Sequence, residues 1–404
     1  MNILFVADVS ISKASSGAER VLFEQSTLLR ERGHDVHILT RKLANHNASQ
    51  EVIQGVREWR YDIDHRNSYS SIKSTLSNCK NLFESLQKKY SFDCINFHQP
   101  FSALSVIRSP VNKTVKKIYT CHSLSFEEFQ SRNPRPKNII KGLSYSLNVL
   151  TRKYIEKKVL NESDRIVALS RFTQEKLWSA YMIPPEKGVI IPAGVDLRRF
   201  SPAINKEEIR RSLNVPENKM ILFTVRDLEP RMGLENLIYA IKEVINAMPD
   251  IYLVLGGQGP LKNSLISLCH ELGVEDHVRL AGFIPEEDLP DYYRMADVFV
   301  LPTVELEGFG LITLEALASG IPVLGTPVGG TVEILGKLDS RYLFKDSKPE
   351  SMTSLIIETL RQFKDNPQLL RDVSGQCRAV VEKHYSWERN VDRLENLFQE
   401  SLEP

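Results

Sequence analysis

The chain has 404 residues, a net charge of +1, 42% hydrophobic and 25% charged content, which excludes extensive disorder and gives no global nucleic-acid signal. Its five cysteines, Cys79, Cys94, Cys121, Cys269 and Cys377, are scattered without a C-x-x-C pair, so neither a disulfide framework nor a structural zinc site is indicated. The opening MNILFVADVS is too short and acidic for a signal peptide and no apolar run approaches ~20 residues, so a cytoplasmic protein is expected, with two domains of roughly 200 residues each.

Short apolar runs alternate with helical patterns, the mark of parallel sheets with helices on both faces. In the first half ILFVAD, VHILT, DCINFH, KIYTCH, RIVALS and GVIIP read as strands. Glu19 to Arg32 reads as a helix that Gly33 ends. From Arg108 to Lys158 twelve Lys or Arg stand against three Glu, a local excess of +9. That excess reads either as a solvated basic face or as a patch that meets lipid headgroups or a phosphorylated acceptor. Within it Ile140, Leu143, Leu147, Leu150 and Tyr154 recur at helical spacing. Packing on the chain's own core is the expectation, and a membrane interface the alternative.

IPAGVDLRRFSP, residues 191–202, is rich in turn formers and reads as a linker. The second half then restarts the pattern with MILFTV, IYLVLGG, HVRLAGF, DVFVLP and IPVLGT as strands. After Tyr342 the sequence is helical to its end. The boundaries expected are 1–195, 196–384 and a terminal helix 385–404. Two α/β units of this kind imply a central cleft faced by the carboxyl ends of their strands.

ELEGFGLITLEALASG, residues 305–320, places Glu307 and Glu315 around a glycine-containing turn between a strand and a helix. Glu-x7-Glu occurs four times, but Glu235/Glu243, Glu350/Glu358 and Glu395/Glu403 fall in helical patterns and read as solvated surface. At 307/315 the glycines permit close backbone approach, and the helix start offers free amides and about half a positive charge, which suits a diphosphate. Two acids beside such an anion site make sense when the ligand also carries hydroxyls. A sugar nucleotide carries both.

EGFGLITLEALASGIPVLGTPVGGTVEIL resembles the donor-site signature of the family-four retaining glycosyltransferases of the GT-B fold. SSGAERVLFEQSTLLRERGHDVHILT, YTCHS, ESDRIVALSRFTQEKL, IPAGVDLRRFSP, VRDLEPRMGLENLI and GGQGPLKNSLISL resemble the same family in order. The resemblance implies an α/β fold of two Rossmann-like domains, with the C-terminal helix crossing back to the first. It also implies a nucleotide-sugar donor and a hydroxyl acceptor; the sequence itself implies no metal or other cofactor.

Carried over by position, Glu315 would accept hydrogen bonds from the nucleotide ribose, Glu307 would hold sugar hydroxyls, and the Gly308–Leu311 turn, through the amides of Phe309, Gly310 and Leu311, would hold the phosphates. Arg226 would neutralise the leaving diphosphate. The family's lysine position is Met232 here, which leaves Arg231 as a candidate substitute. Gly17 stands where the family has a second of two glycines. His122 would contact the donor sugar, and His98 and Gln99 would line the acceptor side. Glu156 and Arg171 are assigned structural or acceptor-side roles. GGQGP lacks the third glycine of a dinucleotide loop, because position 262 is Lys, so Gly257 is read as part of a loop near the donor. Phe283 and Ile284 would offer backbone groups to the nucleobase.

The implied chemistry is front-side transfer with retention, the leaving phosphate helping to deprotonate the acceptor, and domain closure hinged near residues 192–202 and the C-terminal helix. A GT-B epimerase or hydrolase, and a catalytically silent sugar-nucleotide binding subunit, are the alternatives. Peripheral membrane contact through residues 108–158 is expected if the acceptor is lipid-linked. No nucleic-acid partner is expected.

Overall fold

The computed structural model describes residues 1–13, 16–44, 46–112 and 115–402. Glu403, Ser15 of the SSGAER segment, and Lys113 and Thr114 within the basic stretch lie outside the described residues. The chain forms two compact units, one of Met1–Ala193 with Trp387–Pro404 and one of Gly194–Ser386.

The first unit is built on eight strands: β1 (Asn2–Val6), β2 (Asp35–Arg41), β3 (Gln50–Ile53), β4 (Val56–Tyr61), β5 (Cys94–Phe97), β6 (Lys116–Cys121), β7 (Arg165–Ala168) and β8 (Gly188–Ile190). Their order is β3-β4-β2-β1-β5-β6-β7-β8, parallel except for the β3–β4 pair. β1, β2 and β5 to β8 fall on the six apolar runs of the sequence. β3 and β4 were not anticipated, because VREWRY carries charge where a buried strand is expected to be apolar. The structure neutralises that charge internally: Arg60 Nε donates to Glu58 Oε1 at 2.7 Å, and Ser10 Oγ donates to the same oxygen at 2.7 Å. Gln54 and Gly55, at φ 50° and 79°, make the two-residue turn between them, which twists as a tight hairpin requires.

The terminal helix Trp387–Leu402 completes this unit. Val391, Leu394, Leu397 and Phe398 join Phe5, Leu22 and Leu29 in one core cluster. Asn390 ties the helix in, accepting from Gln25 Nε2 at 3.0 Å and donating to Pro192 O at 2.7 Å. Glu395 corrects an expectation. It is not free surface but pairs with Arg32 at 2.8 Å and with His34 at 2.8 Å. An eight-residue acid spacing says nothing about what stands opposite each acid.

A second correction concerns the helix Ile139–Glu162. The apolar stripe expected to pack on its own core instead faces outward, with Ile140, Leu143, Leu147, Leu150 and Tyr154 all exposed. The opposite face, through Ile155, Val159 and Leu160, does the packing.

The second unit holds five parallel strands, β9 (Met220–Val225), β10 (Ile251–Gly256), β11 (Val278–Gly282), β12 (Val298–Leu301) and β13 (Val323–Gly325), in the order β11-β10-β9-β12-β13. All five coincide with the second set of apolar runs. The chain moves outward from β9 through β10 to β11, then returns to lay β12 on the other side of β9. That reversal opens a crevice at the carboxyl ends of β9 and β12, where ligands of open α/β sheets bind. The first unit has the equivalent reversal between β1 and β5.

Candidate active site

In the second unit the segments leaving β9 and β12 carry Arg226 and Glu307 to the reversal point. Arg226 Nη2 donates to Glu307 Oε2 at 2.7 Å. Thr303 Oγ1 donates to the same oxygen at 3.1 Å. Both charged side chains are buried, 8% and 9% exposed, so the pair is shielded from the water that weakens surface salt bridges. Arg226 Nη1 is buried and has no partner. An unsatisfied guanidinium nitrogen at a strand-end crevice is a donor held ready for an anion.

The turn after Glu307 reaches Gly310 at φ 92°, where the helix Leu311–Ala318 begins without a side-chain cap. Thr313 N already donates to Gly310 O at 3.0 Å, and the amides ahead of it at the helix start have no intrahelical acceptor, which leaves them to a ligand. The turn is held from below by PVGG. Gly330 N donates to Glu307 O at 3.1 Å. A Cβ on Gly329, itself at φ 63°, would lie 1.7 Å from that same oxygen. Phe309 is buried and meets Tyr385 edge-on at 6.0 Å between centroids. Glu315, one turn into the helix and 4% exposed, accepts a hydrogen bond from Tyr293 Oη at 2.8 Å.

Arg231 is drawn to the same turn, its Nη1 donating to Leu306 O at 3.2 Å and its Nε lying 3.4 Å from Glu229. It braces the loop at Leu306, which has a left-handed φ of 60°. Met232, at the family's lysine position, is buried with its sulfur 2.9 Å from Arg226 Nη2. Gly257 N donates to Gly282 O at 2.7 Å, and Arg226 N donates to Gly256 O at 3.1 Å, so the GGQGP loop backs directly onto Arg226. Ile284 is buried, with Phe283 beside it 59% exposed. Arg226, Arg231, Gly257, Glu307 to Leu311 and Glu315 therefore belong to one neighbourhood. Thr303, Tyr293, Gly329 and Gly330 were missed as contributors. PVGG was visible as part of the signature, but the second tyrosine of PDYYRMAD looks like any core aromatic.

Gly17, His98, Gln99 and His122 belong to the first unit. Gly17 opens the helix Gly17–Glu31, where Ser16 and Glu19 form a capping box. His98 and His122 follow β5 and β6, with His122 Nε2 3.0 Å from His98 Nδ1. Burial holds His122 down to about 4 and His98 well below its ordinary value, so both rings are neutral at physiological pH. His98 Nε2 is buried without a partner. Gln99 Oε1 accepts from Asp8 N at 2.7 Å. Burial pushes the Asp8 carboxyl upward, against the opposing effects of Arg41, Ser102 and Tyr61. Asp8, Arg41 and Tyr61 lie at the carboxyl ends of β1, β2 and β4 and had no sequence motif to announce them. Glu156 is structural: its carboxylate accepts from Tyr181 Oη at 2.5 Å and from Ser125 N at 3.1 Å. Arg171 is exposed at the start of the helix Arg171–Tyr181.

Two α/β units, each with a largely parallel sheet that reverses beside a cluster of polar groups, define the GT-B class of glycosyltransferase folds. A sucrose-phosphate synthase from Thermosynechococcus elongatus shares this fold with a TM-score of 0.81 over 99% of both chains at 21% identity. The Anabaena protein HepE in complex with UDP does so with a TM-score of 0.74 over 99% of this chain and 100% of that one at 16% identity. The family model "Glycosyltransferase Family 4" matches residues 15–199, and "Glycosyl transferases group 1" matches residues 205–372. With both halves matched in order, the chain belongs to the group 1, family 4 glycosyltransferases.

Among its curated relatives is a GDP-mannose-dependent monoacylated alpha-(1-6)-phosphatidylinositol monomannoside mannosyltransferase of Corynebacterium glutamicum. It is 30% identical over 60% of this chain and 64% of that protein. A D-inositol 3-phosphate glycosyltransferase of Thermobispora bispora is 31% identical over 61% of this chain and 58% of that protein. Each match spans less than two thirds of the relative's length.

Proposed function

We propose that the protein transfers a hexose from a nucleoside diphosphate sugar to a hydroxyl acceptor, with retention at the anomeric carbon. The observation that carries this reading is the buried Arg226, pinned along one edge by Glu307 and left with Nη1 unpartnered beside an uncapped helix start. A diphosphate supplies the missing acceptor for Nη1 and for the amides of Phe309, Gly310 and Leu311. Glu315 then receives the ribose hydroxyls, oriented by Tyr293, and Glu307 receives hydroxyls of the sugar. Arg226 and the Gly308–Leu311 turn take up the charge that develops on the leaving phosphate, which in turn removes the proton from the attacking hydroxyl. His122 contributes to the sugar being transferred as a neutral group, and His98 and Gln99 to the acceptor. No metal is invoked.

The donor favoured in this reading is a UDP-sugar, with GDP-mannose as the alternative; the GDP-mannose-dependent relative of Corynebacterium glutamicum supports the second. The acceptor is assigned to polysaccharide, lipopolysaccharide or glycolipid synthesis, with the basic stretch 108–158 at a membrane face. The test is a thermal-shift screen of UDP, GDP and ADP followed by turnover of the matching sugars. One diphosphate is expected to raise the melting temperature, because a ligand bound only to the folded state stabilises it. Glu315→Ala should abolish that shift, whereas Glu307→Ala should retain it and slow transfer. Donor consumed stoichiometrically without acceptor would indicate a hydrolase or epimerase instead, and binding without turnover would indicate a silent subunit.

A further inference from the structure

We propose that the outward face of the helix Ile139–Glu162 docks on an anionic lipid bilayer, so that the acceptor hydroxyl is met at a membrane surface. The proposal deepens the transferase reading and rests on it only for the word acceptor. Ile139, Ile140, Leu143, Leu147, Leu150 and Tyr154 are 88%, 80%, 74%, 65%, 63% and 66% exposed. From Ile140 onward their spacing of three and four residues, with Ile139 four before Leu143, sets them along one side of the helix, in a stripe about 22 Å long. A contiguous apolar stripe of that length on a folded protein marks a surface that meets something else.

The chain's own core is not that partner. The other side of the helix is already engaged, with Ile155, Val159 and Leu160 buried and Glu156 hydrogen bonded to the Tyr119 and Tyr181 hydroxyls. The Arg152 guanidinium lies over the rings of Phe129 and Phe101, at 4.7 Å and 5.1 Å. Rotating the stripe inward would break all of these contacts.

Charge selects the occupant. Between Glu128 and Glu156 the sequence has no acidic residue, and Glu156 is buried. Arg135 and Lys137 precede the helix and Lys141 lies in its first turn, at one end of the stripe, while Arg132 before them is paired with Glu128 at 3.0 Å. At the other end Lys157 and Lys158 continue its line one turn beyond Tyr154. Apolar side chains bounded by cations match the boundary between acyl chains and anionic headgroups. A second copy of this chain placed on the stripe would set cations against cations, and an apolar partner would leave them unanswered.

The test is co-sedimentation of the full chain with phosphatidylcholine vesicles, with and without phosphatidylglycerol, at low and high salt. The parent is expected to bind the anionic vesicles at least about tenfold more tightly than the neutral ones, and to release from them as salt rises. Leu143→Gln with Leu147→Gln should weaken binding to anionic vesicles by at least about tenfold. Lys157→Gln with Lys158→Gln should weaken it and flatten its salt dependence. All four substitutions are at the surface, so the nucleotide-induced thermal shift of the variants should equal that of the parent. The inference is overturned if the parent fails to bind anionic vesicles at low salt. It is equally overturned if the stripe variant binds like the parent, or if the stripe substitutions convert a dimeric parent to a monomer that binds vesicles unchanged. Stripe-dependent vesicle binding with no response to any nucleotide would uphold the docking surface and count against the transferase reading alone.

Discussion

Removing the Arg226 side chain while keeping its apolar bulk, as in Arg226→Met, strands the Glu307 carboxylate in a buried site with Thr303 as its remaining side-chain donor. The two charges stand 2.7 Å apart. At an effective dielectric of ~20 their gross attraction is about 6 kcal/mol, and desolvation of both offsets much of it. Breaking one side of such a pair leaves the other charge uncompensated, so the second unit should lose about 3 kcal/mol. For a unit of this size that lowers its melting temperature by about 6–12 °C. Nucleoside diphosphate affinity should fall by about 10- to 100-fold, because a charge-assisted hydrogen bond contributes about 1.5–3 kcal/mol.

Glu307→Gln removes the negative charge yet keeps an amide oxygen for Arg226 and Thr303. It should destabilise by only about 1–2 kcal/mol and bind diphosphate at least as well as the parent. The assay is calorimetric unfolding with isothermal titration for the parent, both single variants and the double variant. A coupling of about 1.5–3 kcal/mol between the two positions is expected. Additive effects, or an Arg226→Met protein with the parent's melting temperature and affinity, would refute the account of Arg226 as both a structural partner of Glu307 and an anion donor.

Three further outcomes follow from other contacts. Tyr293→Phe removes the hydroxyl that orients Glu315 and should weaken diphosphate binding by about 3- to 10-fold with little loss of stability, since the ring stays packed; titration with the diphosphate checks it. Gly329→Ala places a Cβ against Glu307 O at a left-handed φ and should destabilise by at least about 3 kcal/mol with loss of nucleotide binding. Gly336→Ala, in a helix with open space around it, should instead stabilise by up to about 1 kcal/mol, and the two melting temperatures should move in opposite directions. In the first unit two groups pull stability in opposite senses with pH. Burial raises Glu156 from 4.5 to about 7, so the folded chain keeps a proton the unfolded chain has lost, and stability falls as pH rises through that window. Burial lowers His122 from 6.5 to about 4, so the unfolded chain binds the extra proton, and stability rises with pH between those values. Glu156→Gln removes the first effect alone and should steepen the rise in unfolding free energy from pH 4.5 to 6.5, by about 1.4 kcal/mol per pH unit at mid-window; an unchanged profile would deny the buried proton.

Strand positions, the repeated α/β pattern and the Glu307–Glu315 segment were legible in the sequence because each is a local property. Apolar runs report strands buried on both faces, and a glycine turn between strand and helix reports an amide-lined loop wherever it occurs. β3 and β4 escaped because their charges are satisfied by one another, by Ser10 and by Asp35 of β2, long-range facts that composition does not carry. Tyr293 reaches Glu315 across 22 residues of chain, and the contact of the Met232 sulfur with the Arg226 guanidinium is likewise set by the assembled site. Periodicity likewise found the stripe from Ile140 to Tyr154 but not its direction, because both sides of that helix are partly apolar. Which side turns inward was decided by Glu156, Val159 and Leu160, whose partners come from β6, Ser125 and the helix Arg171–Tyr181. Sequence fixes what each segment is able to bury; only the assembled unit decides which of those faces is left for something else to cover.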